Sequence, residues 1–319
     1  MALVDLLLVV GIIAGVYSLL AIGMNMHWGD TGLLNFAHAA FFAVGAYTSA
    51  ILTTPPATGD LATRVVGFDF PILVGLLAGT ALAGLVGVLI AITSVRLEGD
   101  YLAMVTLSSA ELIRLMIHNE AWLTTGAQTL KNIPRPLSGM VSPGGTIPVS
   151  YDVFYFVLVW AIVGVCYLLF TRLSHSPFGR VLHAIRENDD VPLALGKNIT
   201  TFKLKSFGIG AAIAGLAGGL WAHYVYAISS IMFLPSITFL IWAAVIIGGA
   251  GSYAGAIVGA SVIVFLRQIT RFIPGDVPFG DQLAYIRLMV VGAVLILVLY
   301  YRPEGLLGDA ERLQAGTSE

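Results

Sequence analysis

Eight stretches of this chain each run for about the length of a bilayer-crossing helix with almost no charge. They fall near 3–24, 33–53, 70–94, 101–118, 152–171, 204–226, 252–268 and 284–301, and a shorter run covers 236–248. A helix rises about 1.5 Å per residue, so roughly 20 residues cross a hydrocarbon core of about 30 Å. Backbone polar groups in lipid must be satisfied within their own segment, which requires helices here. The ten-residue alternation of a membrane β-barrel is absent from the sequence. The pattern predicts an all-α, polytopic membrane bundle of eight or nine spans with broken or re-entrant helices. Residues 1–308 would form one membrane domain and 309–319 a disordered tail.

Composition agrees with this. The chain is 58% hydrophobic and 11% charged, whereas soluble domains carry about 25% charged residues. The lipid bilayer is therefore the expected surroundings. A net charge of -2 argues against a nucleic-acid partner. Cys166 is the sole cysteine, so no disulfide framework or cysteine-based metal site can form within one chain. The first ionisable side chain is Asp5 and the first basic one Arg64. Without a basic leader, Met1–Leu20 reads as a first membrane helix that stays in place rather than a cleaved signal.

The charged exception lies between spans, at 173–203. Ser176 followed by Pro177 is a good helix start. Phe178, Val181, Leu182 and Ile185 then recur at helical spacing, with Arg180, His183, Arg186 and Glu187 tending toward the other face. Asn188, Asp189 and Asp190 can break and restart the helix, Pro192 sits just inside the second one, and Gly196 can end it. This predicts a rigid helical hairpin, polar outside and apolar toward the bundle. It suits a surface gripped by a cytoplasmic motor, and equally an amphipathic loop lying on lipid with snorkelling Lys and Arg. If the hairpin is cytoplasmic, Arg96, Arg302 and Arg312 share its side. Arg64, Lys131, Arg135, Arg267 and Arg271 then fall outside, an asymmetry of the expected sign. The loops at 54–69 and 119–151 become external, the latter rich in Pro and Gly (Pro134, Pro136, Pro143, Gly144, Gly145). Asp69, Arg267, Arg271, Asp276 and Asp281 could there meet a partner that delivers substrate.

Polar residues inside the spans mark a candidate path. Glu111 and Arg114 lie three apart on one helix face. A charge at mid-bilayer costs roughly 2.5–3.5 kcal/mol on insertion scales, so such a pair points to a pathway or to a structural ion pair. Thr106, Ser108 and Ser109 add hydroxyls that could meet a polar solute or bond back to their own helix. Asn35 and His38 sit where an apolar helix begins; its free N–H groups could face a carboxylate, or the two side chains could tie helices together. Gly29–Tyr47 and Gly248–Val262 are both glycine-rich leads into a span. They suggest paired broken-helix elements flanking a substrate path, or ordinary close packing of small residues.

No P-loop, H-E-x-x-H or G-x-S-x-G occurs, and the six histidines lack metal-ligand spacing. The residues thus suggest neither catalysis nor a metal. A self-sufficient ion-coupled transporter or channel remains the rival, with Glu111 as its candidate ion site.

Four stretches resemble one family. They are GLLNFAHAAFFAVGAY at 32–47, RLEGDYLAMVTLSSAELIRL at 96–115, SPFGRVLHAIRENDDVPLALGKNITTFKLKSF at 176–207 and YRPEGLLG at 301–308. In this order they resemble the permease of branched-chain amino acid ABC importers, of the LivM type. The resemblance implies a multi-pass protein of a bacterial or archaeal cell (inner) membrane that catalyses nothing itself. Its implied partners are a second, LivH-like permease, two cytoplasmic ATPases that hold the ATP and Mg, and an extracytoplasmic solute-binding protein. It also implies that Gly179, Arg180, Ala184, Arg186, Glu187, Asn188 and Asp189 contact the ATPase. The stretch Leu123–Ala127 departs from the family's Thr-Gly-Gly pattern, and the 54–69 loop looks long. Both lie on the outward side, so urea, short amides or other small solutes stay open beside hydrophobic amino acids.

Overall fold

The structure is a computed structural model that describes residues 3–56, 66–97, 99–139, 141, 149–268, 283–302 and 304–308. Arg64, Arg271, Asp276, Asp281, Arg312, Pro143, Gly144, Gly145 and residues 309–319, expected as a tail, lie outside the described residues.

Each expected apolar run is built around a helix. Helix α1 is Leu3–Asn25, continued by a π-turn at Met26–Asp30; α2 is His38–Thr53, α3 Ile72–Ser94, α4 Asp100–Asn119 and α5 the single turn Ala121–Thr124. Then come α6 Tyr151–His175, α7 Pro177–Glu187, α8 Asp190–Ala194 and α9 Ile199–Val225. A 3-10 turn at Ser230–Phe233 leads into α10 Ser236–Gly248, followed by α11 Tyr253–Gln268 and α12 Leu283–Tyr301. The described residues form no strand; Leu130 and Ile228 make an isolated antiparallel bridge.

Five helical segments are long and apolar enough to cross a membrane: Val4–Asp30, Ile72–Ser94, Tyr151–His175, Ile199–Val225 and Ser230–Gly248. His38–Thr53, Tyr253–Gln268 and Met289–Val298 are apolar but shorter. The expected 33–53 run loses its first turn because residues 32–37 are not helical. Helix α4 is long, but its hydroxyls and its Glu111–Arg114 pair dilute its apolar character.

Packing inverts the soluble-protein rule. Along α3 the buried positions are Gly75, Gly79, Ala83, Gly87 and Ala91, at four-residue spacing. The bulky Leu73, Leu77, Leu85, Leu89 and Ile92 point outward. Lipid tails are as apolar as leucine, so small residues go inside, where they let helices touch. Helices α2, α3 and α9 meet in this way. A Cβ on Gly45 would overlap the backbone of Gly215, and one on Gly218 the carbonyl of Phe42. Helices α10 and α11 meet through Gly248, Gly255 and Gly259. Helix α1 joins the two groups, touching α6, α9, α10 and α11.

The YRPEGLLG stretch has a structural role. The N–H groups of Leu306 and Leu307 donate to the carbonyls of Ile247 and Gly248 at 2.8 and 2.9 Å. The 304–308 turn thus satisfies the open C-terminus of α10. The turn needs Gly305 at φ +82° against Gly249 at φ +108°, backbone that an L side chain rarely adopts.

Candidate translocation and coupling site

The charged hairpin folds as the sequence indicates. The Ser176 hydroxyl accepts from the N–H of Gly179, and Pro177 opens α7. Gly196, at φ +71°, closes α8, with Lys197 N–H donating to the carbonyl of Pro192. Leu182 and Ile185 are buried, and Phe178 stacks on Phe202 of α9. Asp189 accepts from Lys203 at 2.6 Å, tying the hairpin tip to α9. Gly179 sits in the corner between α6 and α7, where a Cβ would overlap the carbonyls of Leu173 and Ser174. Arg180 and Glu187 are exposed, as is Asn188, whose side chain accepts from the N–H of Asp190. The carbonyl of Ala184 accepts from the N–H of Asn188.

His183 departs from expectation. It points inward, not outward. Its Nε2 lies 3.2 Å from Asp30 Oδ1 and 3.1 Å from Ser174 Oγ. Asp30 is buried at the end of the π-turn. It also accepts from Ser174 Oγ at 3.2 Å and from the Tyr253 hydroxyl at 2.6 Å. Arg186 reaches the same turn and donates to the carbonyl of Gly29 at 2.5 Å. Gly32, at φ +73°, lies under its stem. Two side chains of α7 therefore grip the residues where α1 gives way to irregular backbone. A cavity of about 420 Å³ beside the joint is lined by Arg180, His183 and Tyr253, among others. Ser174 and Tyr253 were not legible as partners because they come from distant helices.

The two glycine-rich leads come together at this joint, where Tyr253 donates to Asp30 and Gly29 lies against the N–H of Gly251. Asn25 Oδ1 accepts from the N–H of Gly251 at 2.8 Å. Trp242 Nε1 donates to the carbonyl of Asn35 at 3.1 Å, and Ala39 N–H to Thr238 Oγ1 at 3.0 Å.

Asn35 and His38 are fully inside the protein. A carbonyl can only accept, so His27 Nε2, 3.2 Å from the carbonyl of Phe207, carries the proton. Its Nδ1 then accepts from Asn35 Nδ2 at 2.9 Å. Asn35 Oδ1 accepts from the N–H of Ala37 at 2.8 Å, just before α2 begins. His38 Nε2 donates to the carbonyl of Leu20 at 2.9 Å, leaving Nδ1 buried and unpartnered. Both residues are thus engaged in holding irregular backbone against α1 and α9.

On α4, Thr106 is buried. Its hydroxyl bonds back to the carbonyls of Leu102 and Ala103 and accepts from the N–H of Phe36 at 3.0 Å. It steadies the same 32–37 segment. Ser108 is exposed. Arg114 donates through Nε and Nη2 to the two oxygens of Glu111, at 2.9 and 2.5 Å. This pair is some distance along α4 from Thr106, so the six candidate path residues do not form one cluster.

A second cavity, of about 300 Å³, opens where α1, α2, α9, α10 and α11 converge. Tyr17 and Arg267 border it, the guanidinium donating to the phenol at 2.7 Å. Among the described residues, no group of three or more His, Cys, Asp or Glu could hold a metal ion.

A family model described as "Branched-chain amino acid transport system / permease component" matches residues 6–299. The chain belongs to this permease family. It is 31% identical to the high-affinity branched-chain amino acid transport system permease protein LivM of Salmonella typhimurium, over 92% of this chain and 68% of that one. It is 27% identical to a probable LivM permease of Methanocaldococcus jannaschii, over 96% and 94%. The LivH permease of Salmonella typhimurium is 26% identical, over 92% of each. No solved structure matches at a significant level. Relatives from bacteria and an archaeon, with the apolar helices, make this family member a multi-pass membrane protein. Its relatives are permease components, not enzymes.

Proposed function

We propose that this chain is one of two homologous membrane subunits of an ABC importer for branched-chain amino acids in the cell (inner) membrane. A LivH-like permease is its membrane partner, two cytoplasmic ATPases bind and hydrolyse ATP with Mg, and an extracytoplasmic binding protein delivers the solute. The observation that carries this reading is the joint between α7 and the π-turn. A basic hairpin held by His183–Asp30 and Arg186–Gly29 can pass a push from the motor straight to the break in the bundle. The motor biases two packings by touching them differently, which is all that coupling requires.

Sidedness supports the reading. Arg96 lines a cavity with Lys197 and Lys203 of the hairpin side, and the 304–308 turn caps α10 beside the Gly249–Gly251 loop. Following α1, α2, α3, α4, α6, α9, α10, α11 and α12 in turn gives nine passages. The N-terminus then lies outside, and α2 and α10 are the broken members. Gly179, Arg180, Ala184, Arg186, Glu187, Asn188 and Asp189 are the contact zone for the ATPase; Ser108, Glu111 and Arg114 on α4 border the path, while Asn35, His38 and Thr106 hold the backbone beside it.

The test is reconstitution of the chain with its partners in proteoliposomes. ATP-dependent leucine uptake is expected, with competition by isoleucine and valine but not by urea or acetamide. Uptake by this chain alone, without an ATPase, overturns the proposal. The double variant Arg186→Ala with Glu187→Ala should fold yet lose transport and ATPase docking.

A further inference from the structure

A third cavity, of about 560 Å³, opens where the end of α3 meets α8 and the start of α9. Its wall is basic. Arg96 follows α3, Lys197 follows α8, and Lys203 stands near the start of α9. Asp189 brings one carboxylate, which Lys203 holds at 2.6 Å. That pair is neutral, and its lysine side chain is only 15% exposed. Among the described residues, neither Arg96 nor Lys197 has an acidic partner at ion-pair distance. Both are exposed. The wall therefore keeps two positive charges open to a ligand. A cleft lined by one sign of charge concentrates ions of the other.

The surroundings decide between a free anion and an amphiphile. Helix α3 has 23 residues, and at about 1.5 Å each it crosses a hydrocarbon core of roughly 30 Å. Arg96, just past its end, then stands among lipid headgroups. Leu85, Leu89 and Ile92 are exposed along the part of α3 that leads to it. On the other side α8, outside the spans, exposes Val191, Leu193 and Leu195, and Leu193 reaches the cavity. Apolar side chains on a short helix beside cations suit the boundary between headgroups and acyl chains. Basic pockets between spans at a membrane surface take anionic headgroups. We infer that this cavity binds the phosphate of an anionic phospholipid through Arg96 and Lys197, with its acyl chains along the exposed leucines of α3. Asn198 and Thr200 lie on the same wall, and their amide and hydroxyl can donate to the remaining phosphate oxygens. A zwitterionic lipid carries its own cation into the basic wall and is disfavoured.

The test uses the full chain, purified in detergent with the subunits that accompany it. It is titrated with phosphatidylglycerol, phosphatidylcholine or inorganic phosphate, and binding is read by native mass spectrometry. Wild type should bind phosphatidylglycerol on the order of tenfold more tightly than phosphatidylcholine, and inorganic phosphate should not displace it. Arg96→Gln and Lys197→Gln should each weaken phosphatidylglycerol about fivefold, and together about twenty-five-fold, without changing phosphatidylcholine. Lys131→Gln, exposed in the 119–151 loop and outside the cavity, should leave both lipids unaffected. Equal affinity of wild type for the two lipids overturns the proposal, as do Arg96 and Lys197 variants that keep the wild-type preference. Displacement by inorganic phosphate overturns the lipid assignment and makes the cavity a site for soluble anions. A double variant that keeps its lipid preference but loses its ATPase subunits also overturns it, and gives the wall to the motor.

Discussion

His183 on the α7 helix stands 3.2 Å from the buried carboxylate of Asp30, at the point where α1 ends. The residue on the exposed hairpin thus holds the one that terminates the first span. Asp30 also carries Ser174 and Tyr253, so one carboxylate collects α6, α7 and α11. Removing that carboxylate leaves the Ser174 and Tyr253 hydroxyls without their acceptor, at about 1–3 kcal/mol per buried group. Asp30→Ala should therefore loosen the joint and abolish coupling. The expected outcome is ATPase subunits that still co-purify and hydrolyse ATP, with no solute uptake. Normal uptake in this variant would remove the joint from the mechanism.

Arg186 offers a finer probe. Its guanidinium reaches the carbonyl of Gly29 over Gly32. A hydrogen bond from a charged donor contributes about 1.5–3 kcal/mol. Arg186→Met keeps an unbranched apolar stem but removes that donor. Uptake should fall at least tenfold while the melting temperature of the complex moves by a few degrees. Loss of assembly instead would make Arg186 a structural clamp.

The helix contacts make a contrast that needs no functional assay. Gly218 lies against the carbonyl of Phe42, whereas nothing lies within 4 Å of a Cβ placed on Gly164 of α6. Gly218→Val should drive α2 and α9 apart, at a cost of 3 kcal/mol or more, beyond the roughly 1–3 kcal/mol typical of overpacking. Gly164→Val should be tolerated. Detergent-solubilised yield and thermal unfolding report both, and equal behaviour of the two variants would contradict the packing described.

These contacts show what the sequence made legible. Helix positions were readable because apolar runs in lipid admit no other backbone. The starts and stops of the hairpin helices were readable because Ser176, Pro177 and Gly196 act locally. His183 was misread, since helical spacing assigns a face but not a buried acid 153 positions away. The bond between Tyr17 and Arg267 was missed for the same reason. Arg267 looked like an external-loop charge until its guanidinium was seen on a phenol of α1. The two glycine-rich leads were legible as similar stretches, but not as neighbours hydrogen-bonded through Asp30 and Tyr253.

The 304–308 turn gives a stability prediction. Leu306 and Leu307 satisfy the last carbonyls of α10. Truncation after Arg302 would leave Ile247 and Gly248 without those donors, at about 1–3 kcal/mol per buried group. The truncated protein should melt several degrees lower, while Gly305→Ala, strained at φ +82°, should fall between it and wild type. An unchanged melting temperature on truncation would show that the turn is ornamental.

Glu111 decides between a motor-driven permease and an ion-coupled one. A proton or sodium carrier must release and rebind its ion during each cycle. Both oxygens of Glu111 accept from the Arg114 guanidinium, so protonation would have to break a bidentate pair. The Glu111 side chain is also 40% exposed, beside the exposed Leu112 and Leu115 of α4. That position fits a contact with the second permease or the path between the two better than a sealed ion site. Uptake with ATP inside the vesicles should therefore survive collapse of the proton and sodium gradients. Glu111→Ala should reduce uptake severalfold while leaving assembly intact, because Arg114 loses its partner on that face. Ionophore-sensitive uptake that Glu111→Gln abolishes would assign the driving force to this residue and take it away from the ATPases.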